Sequence, residues 1–173
     1  MNEHFVLMAS GKDRMGVVER FTSVILEHEG NVEASRMARL GGEFAMLMLV
    51  SAPAERAENL REQLGHLDFA VHIRAAEMRE INAEARSTVY GIMIMGADHL
   101  GIIHQIARAL TAKGVNIETM NTEVMAAPMS GAPLFTMSAV VSAPTGVSAD
   151  ELRLDLARLG DELGVDTAVL AHR

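Results

Sequence analysis

The stretch that decides the fold is Gly11-Lys12-Asp13-Arg14-Met15-Gly16-Val17-Val18, because the chain contains it twice. The second copy is Gly96-Ala97-Asp98-His99-Leu100-Gly101-Ile102-Ile103. In each copy, a Gly-x-Asp-x-x-Gly turn follows an apolar run typical of a strand and precedes an amphipathic segment typical of a helix. The start of a helix has unpaired backbone N–H groups and the positive end of the helix dipole, which favour a small anion or a carboxylate. Each copy is therefore a candidate site for a small ligand.

The two turns belong to a longer internal duplication. Matching residues lie 85 positions apart in the first part of each copy: Asp13 and Asp98, Gly16 and Gly101, Asn31 and Asn116, Glu33 and Glu118. Farther along the chain the offset is 91, as it is between Pro53 and Pro144. The second copy therefore carries six additional residues, which fall within residues 125–133. Matches held in one register over this length indicate a repeated structural unit.

The apolar pattern of each copy predicts the element order β-α-β-β-α-β. Apolar residues three or four positions apart predict helices, and short alternating or continuous apolar runs predict strands. Ser148 and Glu151 form a capping-box signature for the last helix. We therefore predict an α+β protein of two ferredoxin-like βαββαβ domains in tandem, residues 1–78 and 88–173, joined by a polar linker over residues 79–87. Right-handed crossovers would give each domain a four-stranded antiparallel sheet with both helices on one face.

The first strand of each copy is apolar at nearly every position, so we expect the second face of each sheet to be at least partly covered. The other copy or another subunit would cover it, which favours a homo-oligomer. Methionine pairs two positions apart, Met46 with Met48 and Met93 with Met95, lie on one face of a strand. We interpret them as core filling rather than as a soft-metal site.

Composition excludes several classes of protein. The chain has 173 residues, a formal net charge of −8 and no cysteine, which argues against a nucleic-acid-binding surface, disulfides and thiol catalysis. The longest clean apolar run, residues 44–50, is too short to span a membrane, and the N-terminus does not resemble a signal peptide. We therefore expect a cytoplasmic protein that binds neither membrane nor nucleic acid directly.

No pattern in the sequence predicts catalysis, a cofactor or a metal. His99 and His104 are five residues apart rather than the four that place two ligands on one helix face. The chain lacks a nucleophile elbow, a His-Glu helix motif and a phosphate-loop lysine. Ser130 lies at a predicted hairpin tip rather than at a strand–turn–helix junction. We predict a protein without enzymatic activity, and a small enzyme on the same fold remains an alternative.

The repeated unit resembles the ACT domain, a small-molecule regulatory module. The resemblance is carried by Asp-x-x-Gly before the first helix and by Asn-Val-Glu (31–33) or Asn-Ile-Glu (116–118) after it. Two such units in tandem are similar to the glycine cleavage system transcriptional repressor group. The segment most specific to that group is Asn31-Val32-Glu33-Ala34-Ser35-Arg36-Met37-Ala38-Arg39-Leu40-Gly41-Gly42-Glu43-Phe44.

The resemblance implies a small amino acid as ligand, glycine among the possibilities. Backbone N–H groups at either helix start would bind its carboxylate, and an aspartate of the turn would bind its ammonium group. The candidate ligand-binding residues are Asp13, Arg14, Gly16, Val17 and Asn31 in the first copy, and Asp98, His99, Gly101, Ile102 and Asn116 in the second. In ACT proteins these elements often lie at an interface between two domains. Each residue type also has a structural explanation: the acids as turn or helix caps, the glycines for close packing, and the asparagines for a positive φ.

Two regulatory functions follow as hypotheses. In the first, an amino-acid sensor regulates the glycine cleavage system through a DNA-binding transcription factor, since this acidic chain contains no helix-turn-helix pattern. In the second, a stand-alone ACT protein binds and regulates a metabolic enzyme.

Overall fold

The structure, a computed structural model, describes residues 1–77, 87–128 and 131–171. The chain divides into two compact units, Met1–Glu80 and Ile81–Arg173. The predicted linker, residues 79–87, lies outside the described residues except for residue 87. No helix in the described ranges is long and apolar enough to cross a membrane.

The first unit contains six elements in the predicted order. These are β1 (Asn2–Lys12), α1 (Val17–Glu27), β2 (Asn31–Leu40), β3 (Glu43–Pro53), α2 (Ala54–Gly65) and β4 (Ala70–Ala75). The strands form one antiparallel sheet in the order β2-β3-β1-β4.

The second unit repeats this order and topology. Its elements are β5 (Thr88–Ala97), α3 (Ile102–Ala112), β6 (Asn116–Ala126), β7 (Pro133–Ala143), α4 (Ala149–Leu163) and β8 (Val165–Ala171). The antiparallel sheet has the order β6-β7-β5-β8. The predicted α+β class and the tandem βαββαβ arrangement are confirmed.

Each sheet has one face against its two helices, which form the core of the unit. In the middle of β1, every second residue is buried, namely Phe5, Leu7 and Ala9, as the two-residue period of a strand requires. The helices contribute residues three or four positions apart: Val17, Phe21 and Ile25 from α1, and Ile102, Ile106 and Leu110 from α3. The predicted cap of α4 is also present, because Ser148 Oγ accepts a hydrogen bond from the backbone N–H of Glu151.

The second face of each sheet corrects the interpretation of one methionine pair. Met46 and Met48 are buried in the core, but Met93 and Met95 are 52% and 48% exposed. On β5 the alternating positions Ile92 and Ile94 occupy the helix side, so the methionines point to the opposite side. The spacing of two residues therefore predicted correctly that Met93 and Met95 lie on the same face of the strand. It could not predict whether that face packs against the helices or points away from them.

Both sheets carry a β-bulge at the same place in the repeat. The pairing of β2 with β3 shifts between Val32 and Ala34, and that of β6 with β7 shifts between Ile117 and Thr119. The additional residues are Glu33 and Glu118, and a bulge redirects the side chain of the residue it adds.

The bulged glutamates have different partners in the two units. Glu33 Oε1 lies 3.1 Å from His4 Nε2. Glu118 Oε1 accepts hydrogen bonds from Ser142 Oγ at 2.5 Å and from Asn116 Nδ2 at 2.7 Å. These two hydrogen bonds stabilise the carboxylate and so lower the pKa of Glu118, and the bond from Ser142 has the larger effect.

Candidate functional site: the turn before α3

The two repeated turns present uncapped helix starts. The residues before α1 and α3, Gly16 and Gly101, have left-handed backbones with φ of 85° and 97°, which favour glycine. No side chain caps either helix, so the predicted alternative that Asp13 and Asp98 are helix caps is wrong. The first backbone N–H groups of each helix therefore point outward as donors for a ligand.

The first turn is closed by its own side chains. Asp13 Oδ2 lies 2.6 Å from Nε of Arg39 on β2, and the Asp13 side chain is only 19% exposed. Arg14 Nη2 donates to the backbone oxygen and to Oδ2 of Asp68, each at 3.3 Å. The guanidinium of Arg14 also lies 4.6 Å from the centroid of the Phe69 ring. Both polar side chains of this turn thus have partners within the unit.

The second turn borders an open cavity. The position that matches Arg39 is Val124, which carries no charge, and Asp98 forms no ion pair among the residues that the structure describes. A cavity of about 550 Å³ lies here. Its lining includes Asp98, His99, Gly101, Ile102, Thr122 and Glu123. Four of the five residues predicted for a site in the second copy therefore line one cavity.

His99 lies in this cavity with both ring nitrogens close to backbone oxygens. Its Nε2 lies 2.7 Å from the backbone oxygen of Leu163, and its Nδ1 lies 3.2 Å from that of Leu100. Carbonyl oxygens only accept, so both ring nitrogens must carry protons for both hydrogen bonds to form. These hydrogen bonds raise the pKa of His99, and the bond to Leu163 has the largest effect. The negative charge of the nearby Asp98 raises it further. The contact with Leu163 connects the turn to the end of α4.

The helix residues Val17 and Ile102 contribute backbone rather than side chains to the turns. Each is 2% exposed, because each forms part of the core of its unit. Only their N–H groups could bind a ligand.

Asn31 and Asn116 do not join the turns within their own units. Asn116 pairs with Ser142, which pairs with Val89 near the start of β5, whereas Asp98 follows the end of β5. At about 3.3 Å per residue, the two ends are roughly 26 Å apart. Asn31 occupies the matching place in the first unit, where it pairs with Ser51.

The alternative explanation for the asparagines, a positive φ at the helix exit, is wrong. Glu29 is the one described residue other than glycine with a positive φ, and Gly114 has that conformation after α3. A ligand-binding role for Asn31 and Asn116 stays a prediction.

Two residues important to the first turn were not identified from the sequence: Arg39 and Asp68. The repeat offset contained a signal for the first, because it aligns Arg39 with Val124 and so predicts different charges beside the two turns. As for metals, residues 1–77, 87–128 and 131–171 include no group of three or more His, Asp or Glu side chains that could hold an ion.

The fold and the turns define a tandem of ferredoxin-like βαββαβ modules with an open, uncapped helix start in the second module. The family model described as ACT domain matches residues 3–74. An unknown protein from Galdieria sulphuraria is 32% identical, covers 100% of both chains and superimposes with a TM-score of 0.89. This chain belongs to the ACT-domain family.

Two further proteins are similar to this chain. A proposed glycine cleavage system transcriptional repressor is 19% identical to this chain and superimposes with a TM-score of 0.65. The match covers 98% of this chain and 96% of that protein, and it shows a similarity of fold. A UPF0237 protein of Methanosarcina mazei is 25% identical over 105 residues, which are 61% of this chain and 98% of that protein.

Proposed function

We propose that this chain is a regulatory protein without enzymatic activity that binds a small amino acid at the cavity before α3. The observation that carries the proposal is the cavity of about 550 Å³ where an uncapped helix start, the imidazole of His99, whose pKa is raised, and the carboxylate of Asp98 border one space. Membership of a family of regulatory modules supports a role in control rather than in catalysis.

The cavity has complementary groups for both ends of a zwitterion. The N–H groups at the start of α3 would bind the α-carboxylate. Both ring nitrogens of His99 already contact backbone oxygens, so a protonated His99 would attract the carboxylate by its charge rather than by a direct hydrogen bond. Asp98 would accept from the ammonium group. Val124 and Phe135 add apolar surface for a short side chain. The first unit offers no such set, because Asp13 and Arg14 are already paired.

Thermal unfolding with a panel of free amino acids at millimolar concentration tests the proposal. We expect one small amino acid to stabilise the wild-type chain by about 2.7 kcal/mol at 100 times its dissociation constant. Asp98→Asn should abolish this shift, and the matched control Asp13→Asn should retain it. No response to any amino acid, or a full response in Asp98→Asn, would contradict the proposal.

For the regulatory output, we propose control of the glycine cleavage system through a DNA-binding transcription factor, with glycine as the ligand. The similarity in fold to a proposed repressor of that system supports this output. A net charge of −8 favours a basic protein partner over DNA. Co-purification from cells should recover a transcription factor, whereas recovery of a metabolic enzyme would favour enzyme regulation. A DNA mobility shift caused by this protein alone would exclude the indirect mechanism.

A further inference from the structure

In both units, one side chain of the repeated turn reaches the passage from the second helix to the last strand. In the first turn, Arg14 Nη2 donates to the backbone oxygen of Asp68, which lies 3.3 Å away between α2 and β4. In the second turn, His99 holds the matching position, and its Nε2 lies 2.7 Å from the backbone oxygen of Leu163, the last residue of α4. The two copies therefore share one contact, from the turn to a backbone carbonyl, which we call the tether of the turn.

The two tethers differ in whether their charge is permanent. The guanidinium of Arg14 stays charged across the physiological pH range. It also lies 3.3 Å from Oδ2 of Asp68 and 4.6 Å from the centroid of the Phe69 ring. The imidazole of His99 instead gains or loses its proton near neutrality. The same contact is thus permanent in the first unit and depends on protonation in the second.

The protonation state decides how many hydrogen bonds the His99 ring can make. Its Nδ1 lies 3.2 Å from the backbone oxygen of Leu100, opposite the contact of Nε2 with Leu163. A protonated ring donates from both nitrogens, whereas a neutral ring has one proton and presents a lone pair from its other nitrogen. Loss of the proton therefore replaces two charge-assisted hydrogen bonds by at most one neutral bond, which is about half as strong.

Most charges around the ring favour its protonated form. On the turn itself, the negative charge of Asp98 attracts the imidazolium. The charged and titratable side chains of the neighbouring elements are Asp161 and Glu162 in the last turn of α4, Asp166 on β8, Glu123 on β6 and His104 on α3. All of them except His104 are acids, and the C-terminus of a helix such as α4 also favours a cation.

The strand that leads into the second turn is packed against the start of β8. A Cβ at Gly96 would lie 2.7 Å from Val165 Cγ1 and 2.8 Å from the backbone oxygen of Gly164, so the two backbones approach closely. This contact holds the beginning of the turn, and the tether holds its middle. Together they set the direction of Asp98 and of the N–H groups at the start of α3.

We propose that His99 is a positioning residue that tethers the second turn to the end of α4 while its ring is protonated and releases the turn when the ring loses its proton. Arg14 is its permanent counterpart in the first unit. The ring acts on the cavity through the orientation of the turn, so it does not have to touch a ligand. The consequence for amino-acid affinity rests on the proposed function of this cavity, whereas the tether itself does not.

Nuclear magnetic resonance of the full chain without ligand tests the tether directly. A carbonyl and the N–H of the next residue form one conjugated peptide group, so the amide nitrogen of Gly164 reports a hydrogen bond accepted by Leu163. Gly101 reports on Leu100 in the same way. In a pH titration, we expect both glycine resonances to shift with the pKa of His99, above its usual value of about 6.5.

His99→Arg separates the tether from the proton. Its guanidinium stays charged, as that of Arg14 does, so the Gly164 resonance should no longer titrate. Amino-acid affinity of this variant should keep its acidic-pH level up to about pH 8.5, where it should exceed the wild-type affinity about threefold. The matched control His104→Gln removes the other histidine that borders the cavity and should keep the wild-type titration and affinity profile.

A Gly164 resonance that does not titrate with His99 in the wild-type chain overturns the proposal. So does a titration that disappears in His104→Gln or persists in His99→Arg, or weaker amino-acid binding by His99→Arg than by the wild type at about pH 8.5. If no amino acid binds at all, the proposed function fails, and the shared titration of His99 and Gly164 alone decides whether the tether exists.

Discussion

Asp13 Oδ2 and Arg39 Nε lie 2.6 Å apart, and this ion pair joins the first turn to the second strand of its sheet. In the second unit, Val124 takes the place of the arginine, and Asp98 borders an open cavity. The two copies of the turn thus differ at one neighbouring position, Arg39 in the first and Val124 in the second. This difference decides whether the aspartate of the turn is available to a ligand.

Val124→Arg should close the second turn. The new guanidinium would reach Asp98 as Arg39 reaches Asp13, so we expect loss of the amino-acid response in thermal unfolding. Val124 is 56% exposed, and the stability without ligand should change by no more than about 0.5 kcal/mol. Val124→Leu, which adds volume without charge, should retain the response. Undiminished binding by Val124→Arg would show that Asp98 does not contact the ligand.

Amino-acid affinity should depend on pH through His99. The carbonyls of Leu163 and Leu100 raise the pKa of His99 above its usual value of about 6.5. A raised pKa means that the imidazolium, and the stability that its hydrogen bonds contribute, is fully present below about pH 6.5 and is lost as pH rises through the raised value. Affinity measured by calorimetry should therefore decline over that range.

His99→Gln tests this origin of the pH dependence, because glutamine keeps a neutral donor and does not titrate in that range. Its affinity should be lower than that of the wild type at acidic pH and nearly constant as pH rises. His66→Gln, near the end of α2, serves as the control and should show the wild-type profile. A pH dependence that persists in His99→Gln would assign it to a different group.

Gly96→Ala should destabilise the second unit, because a Cβ at this position would lie 2.7 Å from Val165 Cγ1 and 2.8 Å from the backbone oxygen of Gly164. Overpacking of this kind costs about 1–3 kcal/mol. Gly91→Ala on the same strand is the matched control, since its Cβ would lie 3.7 Å from Leu170 Cβ, an ordinary contact. The chain has one tyrosine and no tryptophan, so denaturant unfolding followed by Tyr90 fluorescence reports this unit alone. Equal stability of the two variants would contradict the packing argument.

Ser148→Ala should destabilise the same unit by about 1 kcal/mol, because it removes the side-chain oxygen that accepts from the Glu151 N–H at the start of α4. The Tyr90 signal again measures the change. Ser148→Asp preserves an acceptor and places a negative charge at the helix start, so it should remain close to the wild type. An unchanged midpoint for Ser148→Ala would show that water replaces the cap without cost.

The fold could be predicted from the sequence because its signals are local and occur twice. Apolar spacing defined the helices and strands, and the constant offset of 85 residues required both units to share one topology. The same local signals could not predict the face of Met93 and Met95, because a period of two is satisfied by either side of a sheet. The helices decide that choice through contacts between residues distant in sequence.

The candidate site was predicted in part for a related reason. Asp98, His99 and Gly101 are neighbours along the chain, so one motif identified all three. The pairing of Asp13 with Arg39 depends instead on the approach of β2 to the turn, 26 residues away in sequence. Asn116 is likewise far from Asp98 because the pairing of β6 with β7 places Asn116 at the opposite end of the sheet. The local sequence around either residue contains no information about this pairing.

The shared β-bulge indicates the order of two events in the evolution of this duplicated chain. Glu33 and Glu118 interrupt the strand pairing at the same place, and the sequence offset before and after them is unchanged at 85 residues. An extra residue gained by one copy alone would have altered that offset, as the six residues at the second hairpin tip did. The bulge was therefore present in a single ancestral module before it was copied, and the six-residue difference between the two hairpins arose afterwards.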